Sequence, residues 1–281
     1  MRRNAGADGG PLGGRTALVT GGAHRLGRAI AESLAGRGAG VVVHYHRSAI
    51  EAEQAVAAIH GFGVSAAAIQ ADLTDPMQVE TLWAEAQMAA QGRLEILVNC
   101  AALFPADDLG KLDPHDLQET LKLNAVAPLL LSRLFAAQYA GGPGKRAGAQ
   151  SAAGSIVHIL DARMDAPLRR HVSYGLSKQL LADLTRLMAI EYAPRVRVNG
   201  VAPGLILPPP GMEPAERDRL ARMNLLERWG EPVDVARAVL YLVESPFVTG
   251  EILYVDGGGA PGGRGGLSGG SPPGRSLPGE G

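Results

Sequence analysis

Along the chain, short continuous apolar runs alternate with longer stretches in which apolar positions recur every three or four residues. The runs Thr16–Thr20, Gly40–Tyr45, 64–70, 95–99, 155–160, 196–201 and Ile252–Val255 predict seven strands. The stretches between them predict helices over 25–37, with Leu26, Ile30 and Leu34 on one face, and over Ala49–His60, 77–90, about 117–139, about 173–192 and 233–243. Strands without polar alternation are buried on both faces, so their alternation with amphipathic helices predicts a parallel sheet covered on each side. Repeated strand–helix–strand units from the first strand onward predict an α/β, doubly wound Rossmann domain over residues 15–259. Ligands of such sheets lie beyond the carboxyl ends of the strands, so the residues just after each strand are the place to look for chemistry.

Composition narrows the function classes. The 281 residues carry a formal net charge of −1, which gives no electrostatic footprint for nucleic acid or a membrane surface. The one cysteine, Cys100, excludes an intrachain disulfide and fits a reducing compartment. No apolar run is expected to reach the ~18–20 residues that span a bilayer. Met1-Arg2-Arg3-Asn4 opens no apolar signal region, so a cytoplasmic location is the expectation. Residues 1–14 and 260–281 are rich in Gly and in polar residues or Pro, and they are expected to be disordered tails. The Gly/Ala-rich stretch 140–154 is expected to be a mobile surface loop. No metal-ligand cluster is expected.

Directly after the first strand stands Thr20-Gly21-Gly22-Ala23-His24-Arg25-Leu26-Gly27, opening the first helix. Glycines permit a tight turn and close backbone approach to a pyrophosphate, and the helix N-terminus supplies free N–H groups and partial positive charge. Gly21, His24, Arg25, Leu26 and Gly27 are therefore candidate cofactor contacts. Arg25 has two readings: a solvated helix residue, or a guanidinium laid over the pyrophosphate and facing the substrate. The second strand runs out into His44-Tyr45-His46-Arg47-Ser48, with no carboxylate before Glu51. An acidic residue there would bind a ribose 2′-hydroxyl; His46, Arg47 and Ser48 instead suit a 2′-phosphate, which points to NADPH. Beyond the third strand, Asp72 before Leu73 has two readings, an acceptor for the adenine amine or a helix N-cap near Thr74 and Asp75.

The reacting centre is sought in Tyr174-Gly175-Leu176-Ser177-Lys178, where a phenol and an ammonium four residues apart share one helix face. A lysine beside a tyrosine favours phenolate and is expected to draw the phenol's pKa toward the working pH. Asp161, at the end of the fifth strand, is expected to lie beside Tyr174, with desolvation favouring its neutral form. It would serve as a proton reservoir or as a direct substrate contact.

Taken together, the Thr20–Gly27 turn, Asn99-Cys100-Ala101, Asn124, the Tyr174/Lys178 pair and Val198-Asn199-Gly200-Val201-Ala202-Pro203-Gly204 resemble the short-chain dehydrogenase/reductase family over about residues 15–259. The resemblance implies that Asn99, Cys100 and Ala101 contact the cofactor and that Asn124 completes a proton relay with Lys178. It also implies that Pro203, Gly204 and Leu205 line the nicotinamide. Within the family the chain is most similar to the pteridine reductases, including bacterial dihydromonapterin and dihydrofolate reductase-type members. Arg25 replaces a usual glycine, 44–48 matches their 2′-phosphate segment, and Asp161 stands where most of the family has a serine. Phe104 falls where an aromatic stacks on the pterin. Two positions depart from that pattern, Ala102 for a pterin-contacting serine and Ile206 for a polar residue. The resemblance further implies a homotetramer, and the apolar stretch 126–134 is compatible with helices packed between subunits. Two rival readings remain: a carbonyl reductase of this fold acting on a 3-oxoacyl thioester or small ketone, and a non-catalytic cofactor-binding module. The second has no use for Tyr174, Lys178, Asn124 and Asp161 together.

Overall fold

The structure, a computed structural model, describes residues 9–139, 154–164, 168–208 and 211–259. Seven parallel strands form one sheet in the order β3-β2-β1-β4-β5-β6-β7. They are β1 (Thr16–Thr20), β2 (Gly40–Tyr45), β3 (Ala66–Gln70), β4 (Ile96–Asn99), β5 (Gly154–Ile159), β6 (Val196–Pro203) and β7 (Ile252–Val255). Helices α1 (Arg25–Ala35), α2 (Ala49–His60), α3 (Pro76–Ala89), α4 (Pro114–Leu121), α5 (Ala127–Ala137), α6 (Val172–Tyr192), α7 (Pro214–Ala221) and α8 (Pro232–Glu244) complete the chain. Strand order reverses between β1 and β4, where Thr20 pairs with Asn99. Helices leave neighbouring strands in opposite directions at that point and open a crevice above the sheet.

Each strand feeds two cores. In β1, Ala17 and Val19 join Ile30, Leu34, Ile59 and Val239 of α1, α2 and α8, whereas Leu18 joins Val79, Leu82, Leu131, Phe135 and Met188 of α3, α5 and α6. Alternate residues of a strand point to opposite faces, so an unbroken apolar run is what a sheet covered on both sides requires. Asp75 and Asp113 accept the backbone N–H groups of Met77 and His115, and a proline follows each cap at the first helical position. A capping box of Glu231 and Asp234 starts α8.

Four sequence expectations change. Residues 9–14, assigned to a tail, form a turn in which Leu12 is buried and donates its N–H to the Arg37 carbonyl at 2.9 Å. The remainder of both tails and residues 140–153 of the expected loop lie outside the described residues, while Gly154 opens β5. The single helix expected over 117–139 starts earlier and is broken by a π-turn, Lys122–Val126, between α4 and α5. Combined, Pro114–Ala137 is the one described helix that passes a test of length and composition for crossing a membrane, although charged and polar residues interrupt it. Leu131 and Phe135 of this helix lie in the core. Finally, α7 lies in a region for which the apolar pattern predicts no element.

Candidate active site

At the end of β1 the chain turns through Gly21 at φ +64°, where a side chain would press on Ala101. A Cβ at Gly27 would fall 2.1 Å from the Gly21 carbonyl oxygen, so this close turn admits no side chain there. Arg25 has φ +51°, the left-handed region that favours glycine, and its exposed guanidinium makes no hydrogen bond or ion pair among the described residues. His24 is the extended N-cap of α1 and its side chain does not cap the helix. The first N–H groups of α1 thus face the crevice, an arrangement suited to a pyrophosphate.

His44 holds this turn, a role the sequence reading did not assign. Its buried ring accepts the Gly21 N–H through Nδ1 at 3.1 Å and donates from Nε2 to the Ala71 carbonyl at 3.1 Å, which fixes the neutral tautomer. Burial pushes its pKa down to about 4. His158, buried between Ser132 Oγ and Thr185 Oγ1, is pushed down to about 3 for the same reason. An unfolded histidine titrates near ~6.5, so below that pH the unfolded chain binds more protons than the native one. The stability these rings contribute is complete above pH ~6.5 and is lost as pH falls toward 4 and 3. Thermal melts from pH 7.5 down to 4.5 should lose up to about 1.4 kcal/mol per pH unit for each histidine. A midpoint constant across that range would contradict the assignment.

Thr20 was likewise unassigned. Its Oγ1 accepts the N–H groups of Cys100 and Ala101 at 2.9 and 3.1 Å and fixes the segment after β4. Both amide atoms of buried Asn99 lack protein partners among the described residues, as expected of a group reserved for a ligand. At the end of β2, His46 and Arg47 are exposed, and Ser48 starts α2 without capping it. Two cationic or donor side chains, a free hydroxyl and a helix N-terminus converge there, a donor set that fits a phosphate. Asp72 does not take the helix N-cap role, because Asp75 caps α3. Asp72 Oδ1 accepts from Thr74 N and Oγ1 at 2.9 and 2.8 Å, while Oδ2 lies 3.7 Å from His46 Nε2. Burial alone would raise its pKa, but the Thr74 hydrogen bonds and nearby His46 and Arg47 hold it below the usual range. Leu73 is buried in the core beside it.

At the reacting centre, Tyr174 Oη donates to Asp161 Oδ2 at 3.0 Å. Arg163 pairs with the same carboxylate, Nε to Oδ1 at 3.2 Å, and donates its backbone N–H to it at 2.8 Å. The expected lowering of the Tyr174 pKa is reversed: burial first, then the charge and hydrogen bond of Asp161, push the phenol well above its ordinary range. Lys178 Nζ is 5.6 Å from the phenol centroid and donates to the Ile159 carbonyl at 2.7 Å. Burial brings Lys178 down to about 8, while Cys100 is pushed up to about 11.

Asn124 sits in the π-turn, and its side chain bonds both backbone groups of Leu103 at 2.8 and 2.9 Å and reaches Ser177 Oγ at 3.0 Å. Among the described hydrogen bonds none joins it to Lys178, so its observed role is to anchor the segment that carries Phe104. Phe104 is half-exposed, stacks on His171 and meets Tyr174 edge-on with centroids 4.6 Å apart. Pro203 ends β6, and Gly204-Leu205 follows closely packed, since a Cβ at Gly204 would lie 2.7 Å from Asp256 Cα. A cavity of about 560 Å³ under the next segment is lined by Leu205, Ile206, Asn224, Arg228 and Tyr254. None of Asp161, Tyr174 and Phe104 lines it, so it stands apart from the reacting groups.

The family model described as Enoyl-(Acyl carrier protein) reductase matches residues 21–259. Pteridine reductase 1 of Leishmania tarentolae is 33% identical over 277 residues, 86% of this chain and 95% of that one. The granaticin polyketide synthase putative ketoacyl reductase 2 of Streptomyces violaceoruber is also 33% identical, over 86% and 94% of the two chains. Among solved structures, FolM alternative dihydrofolate reductase 1 from Brucella canis, crystallised with NADP, superposes with a TM-score of 0.76. It is 34% identical and covers 87% of this chain and 93% of its own. With a matched model across most of its length and relatives above 30% identity, this chain belongs to the short-chain dehydrogenase/reductase family.

Proposed function

We propose that the protein is an NADPH-dependent reductase acting on the C=N bond of a pterin-type ring, such as a dihydropterin, dihydromonapterin or a dihydrofolate-like compound. One observation carries this reading: the Tyr174 phenol is bonded to a carboxylate, Asp161, and the Phe104 ring packs perpendicular to it. Carbonyl reductases of this family use a hydroxyl at the Asp161 position. The nearby candidate, Ser173 Oγ, is buried and donates to Asp107, so it is already engaged.

NADPH, when bound, supplies the hydride. The N-terminus of α1 and Arg25 hold its pyrophosphate, and His46, Arg47 and Ser48 hold the 2′-phosphate. Asp72 faces the adenine side, while Asn99–Ala101 and Pro203–Leu205 flank the nicotinamide. Lys178 keeps two further N–H donors for the ribose beyond the one given to Ile159. Phe104 presents a flat surface for the ring; orientation of this kind supplies up to about 7–11 kcal/mol of barrier reduction. Tyr174 then donates its proton to the ring nitrogen as negative charge develops there. Its raised pKa keeps it protonated until that charge arrives, and its one hydrogen then turns from Asp161, which Arg163 fixes in place, to the ring nitrogen.

NADPH oxidation with dihydropterin, dihydrofolate and an acetoacetyl thioester tests the reading. Turnover of the heterocycles well above the thioester supports it, and the reverse order overturns it. Arg47→Glu should raise the KM for NADPH by about 10–100-fold, the loss of one or more charge-assisted hydrogen bonds, with little change for NADH. An equal change for both cofactors would remove Arg47 from the 2′-phosphate site.

A homotetramer in the cytoplasm completes the proposal. Leu176, Leu180, Leu187 and Ile190 form one exposed apolar stripe along α6, the kind of face that helices bury between subunits. The lone Cys100 suits a reducing compartment.

A further inference from the structure

His171, just before α6, is held at φ +62° in the left-handed region, where a residue other than glycine is strained. Its carbonyl accepts the Gly175 N–H of α6, while its two donors and its ring run to one other segment. The backbone N–H donates to the Asp107 carbonyl at 2.7 Å, and Nδ1 donates to the Pro105 carbonyl at 2.6 Å. The imidazole lies nearly parallel to Phe104, 14° between planes and 3.9 Å between centroids. Two residues on, Ser173 donates through both its N–H and its Oγ to the Asp107 carboxylate. From the opposite side Asn124 binds the N–H and carbonyl of Leu103. The chain is therefore tied on both sides of Phe104, and the phenyl ring itself is backed by an imidazole.

We propose that His171 is a positioning residue that sets the plane of Phe104 and so confers preference for flat heterocyclic substrates over flexible acyl ones. This rests on the reading that Phe104 meets the substrate. An unsupported phenyl ring rotates about its side-chain bonds and must be ordered each time a substrate binds; stacking on His171 removes that cost beforehand. The half of Phe104 left exposed is the part a planar ring can meet. Such a group acts on binding of the ring and not on proton transfer, because it touches neither Tyr174 Oη nor Asp161 among the described contacts.

The test pairs two variants. His171→Asn tolerates a positive φ and retains a donor but has no stacking ring; His171→Phe retains the ring and loses the donor. KM and kcat are measured for dihydropterin and an acetoacetyl thioester, with NADPH affinity as the control for an intact fold. The expected result for His171→Asn is a KM for dihydropterin raised about 3–10-fold, the scale of one aromatic contact, with a smaller change in kcat. His171→Phe should recover most of that loss. An unchanged KM in His171→Asn, or recovery by the donor and not by the ring, overturns the role of His171 while the wild type's reduction of dihydropterin stands. A wild type that turns over only the thioester overturns the functional reading and this inference with it.

Discussion

Tyr174→Phe should lower kcat for dihydropterin reduction by about 10²–10⁴-fold, the range for losing a positioned general acid. The change removes one oxygen and keeps the ring that packs against Phe104. The NADPH dissociation constant should stay close to that of the wild type, because the contacts assigned to the cofactor's phosphates lie at the ends of β1 and β2. Since burial and Asp161 keep the phenol protonated, the group lost is a donor and not a phenolate base. Asp161→Asn should cost less than Tyr174→Phe, because an amide oxygen still accepts the phenol's hydrogen bond while the carboxylate's charge is gone. Turnover by Tyr174→Phe at more than a tenth of the wild-type rate would exclude Tyr174 as the proton donor.

The second large effect concerns stability. Arg197 on β6 is buried, and its guanidinium donates to the carbonyls of Leu242 at 2.6 Å, Val243 at 2.8 Å and Val248 at 3.1 Å. Two of these carbonyls belong to the last turn of α8, where backbone acceptors have no partner within the helix and a cation offsets the negative end of the dipole. Burial pulls the Arg197 pKa below its ordinary value, so desolvating this cation carries a cost. Arg197→Met removes that cost but strands the two buried carbonyls of Leu242 and Val243, each worth about 1–3 kcal/mol when left unpaired, while Val248 keeps the Asn199 amide as donor. The net loss should be about 2–4 kcal/mol, or a fall in Tm of roughly 5–15 °C for a domain of this size. A melting temperature within a degree or two of the wild type would show that water replaces the guanidinium at no cost.

The layered fold was legible because the central strands are buried on both faces and each main helix on one. The bounds of β1, β2, α2 and β7 coincide with those read from the apolar pattern. Helices α3, α4 and α8 start earlier than periodicity indicates, each on a proline that follows an acidic cap. The apolar count begins only after such residues. Helix α7 buries only Ala221 and so leaves no apolar stripe to detect. The π-turn at Lys122–Val126 shifts the register of one helix without interrupting its apolar character.

At the site, residue types and spacing were enough to bring Tyr174, Lys178 and Asp161 together, but not to give the sign of the electrostatics. Spacing on α6 places Lys178 near the phenol, yet it cannot reveal that Nζ is turned to the Ile159 carbonyl or that Arg163 pairs with Asp161. A signal for Arg163 was present in its separation of two residues from Asp161. His44 and His171 act through backbone carbonyls and ring stacking, which no spacing rule encodes. Arg25 is the opposite case: a basic residue where the family usually has glycine was visible at once, and its positive φ accounts for the usual glycine.

The account turns on a flat ring reaching both Phe104 and the Tyr174 hydroxyl, so the most direct measurement is a crystal structure of the protein with NADP and a dihydropterin. The expected arrangement has the heterocycle parallel to the nicotinamide with Phe104 on its outer face, and a ring nitrogen within hydrogen-bond reach of Tyr174 Oη. A ring seated in the separate cavity beneath residues 205–230, or a crevice too narrow to admit a bicyclic compound beside Phe104, would contradict it.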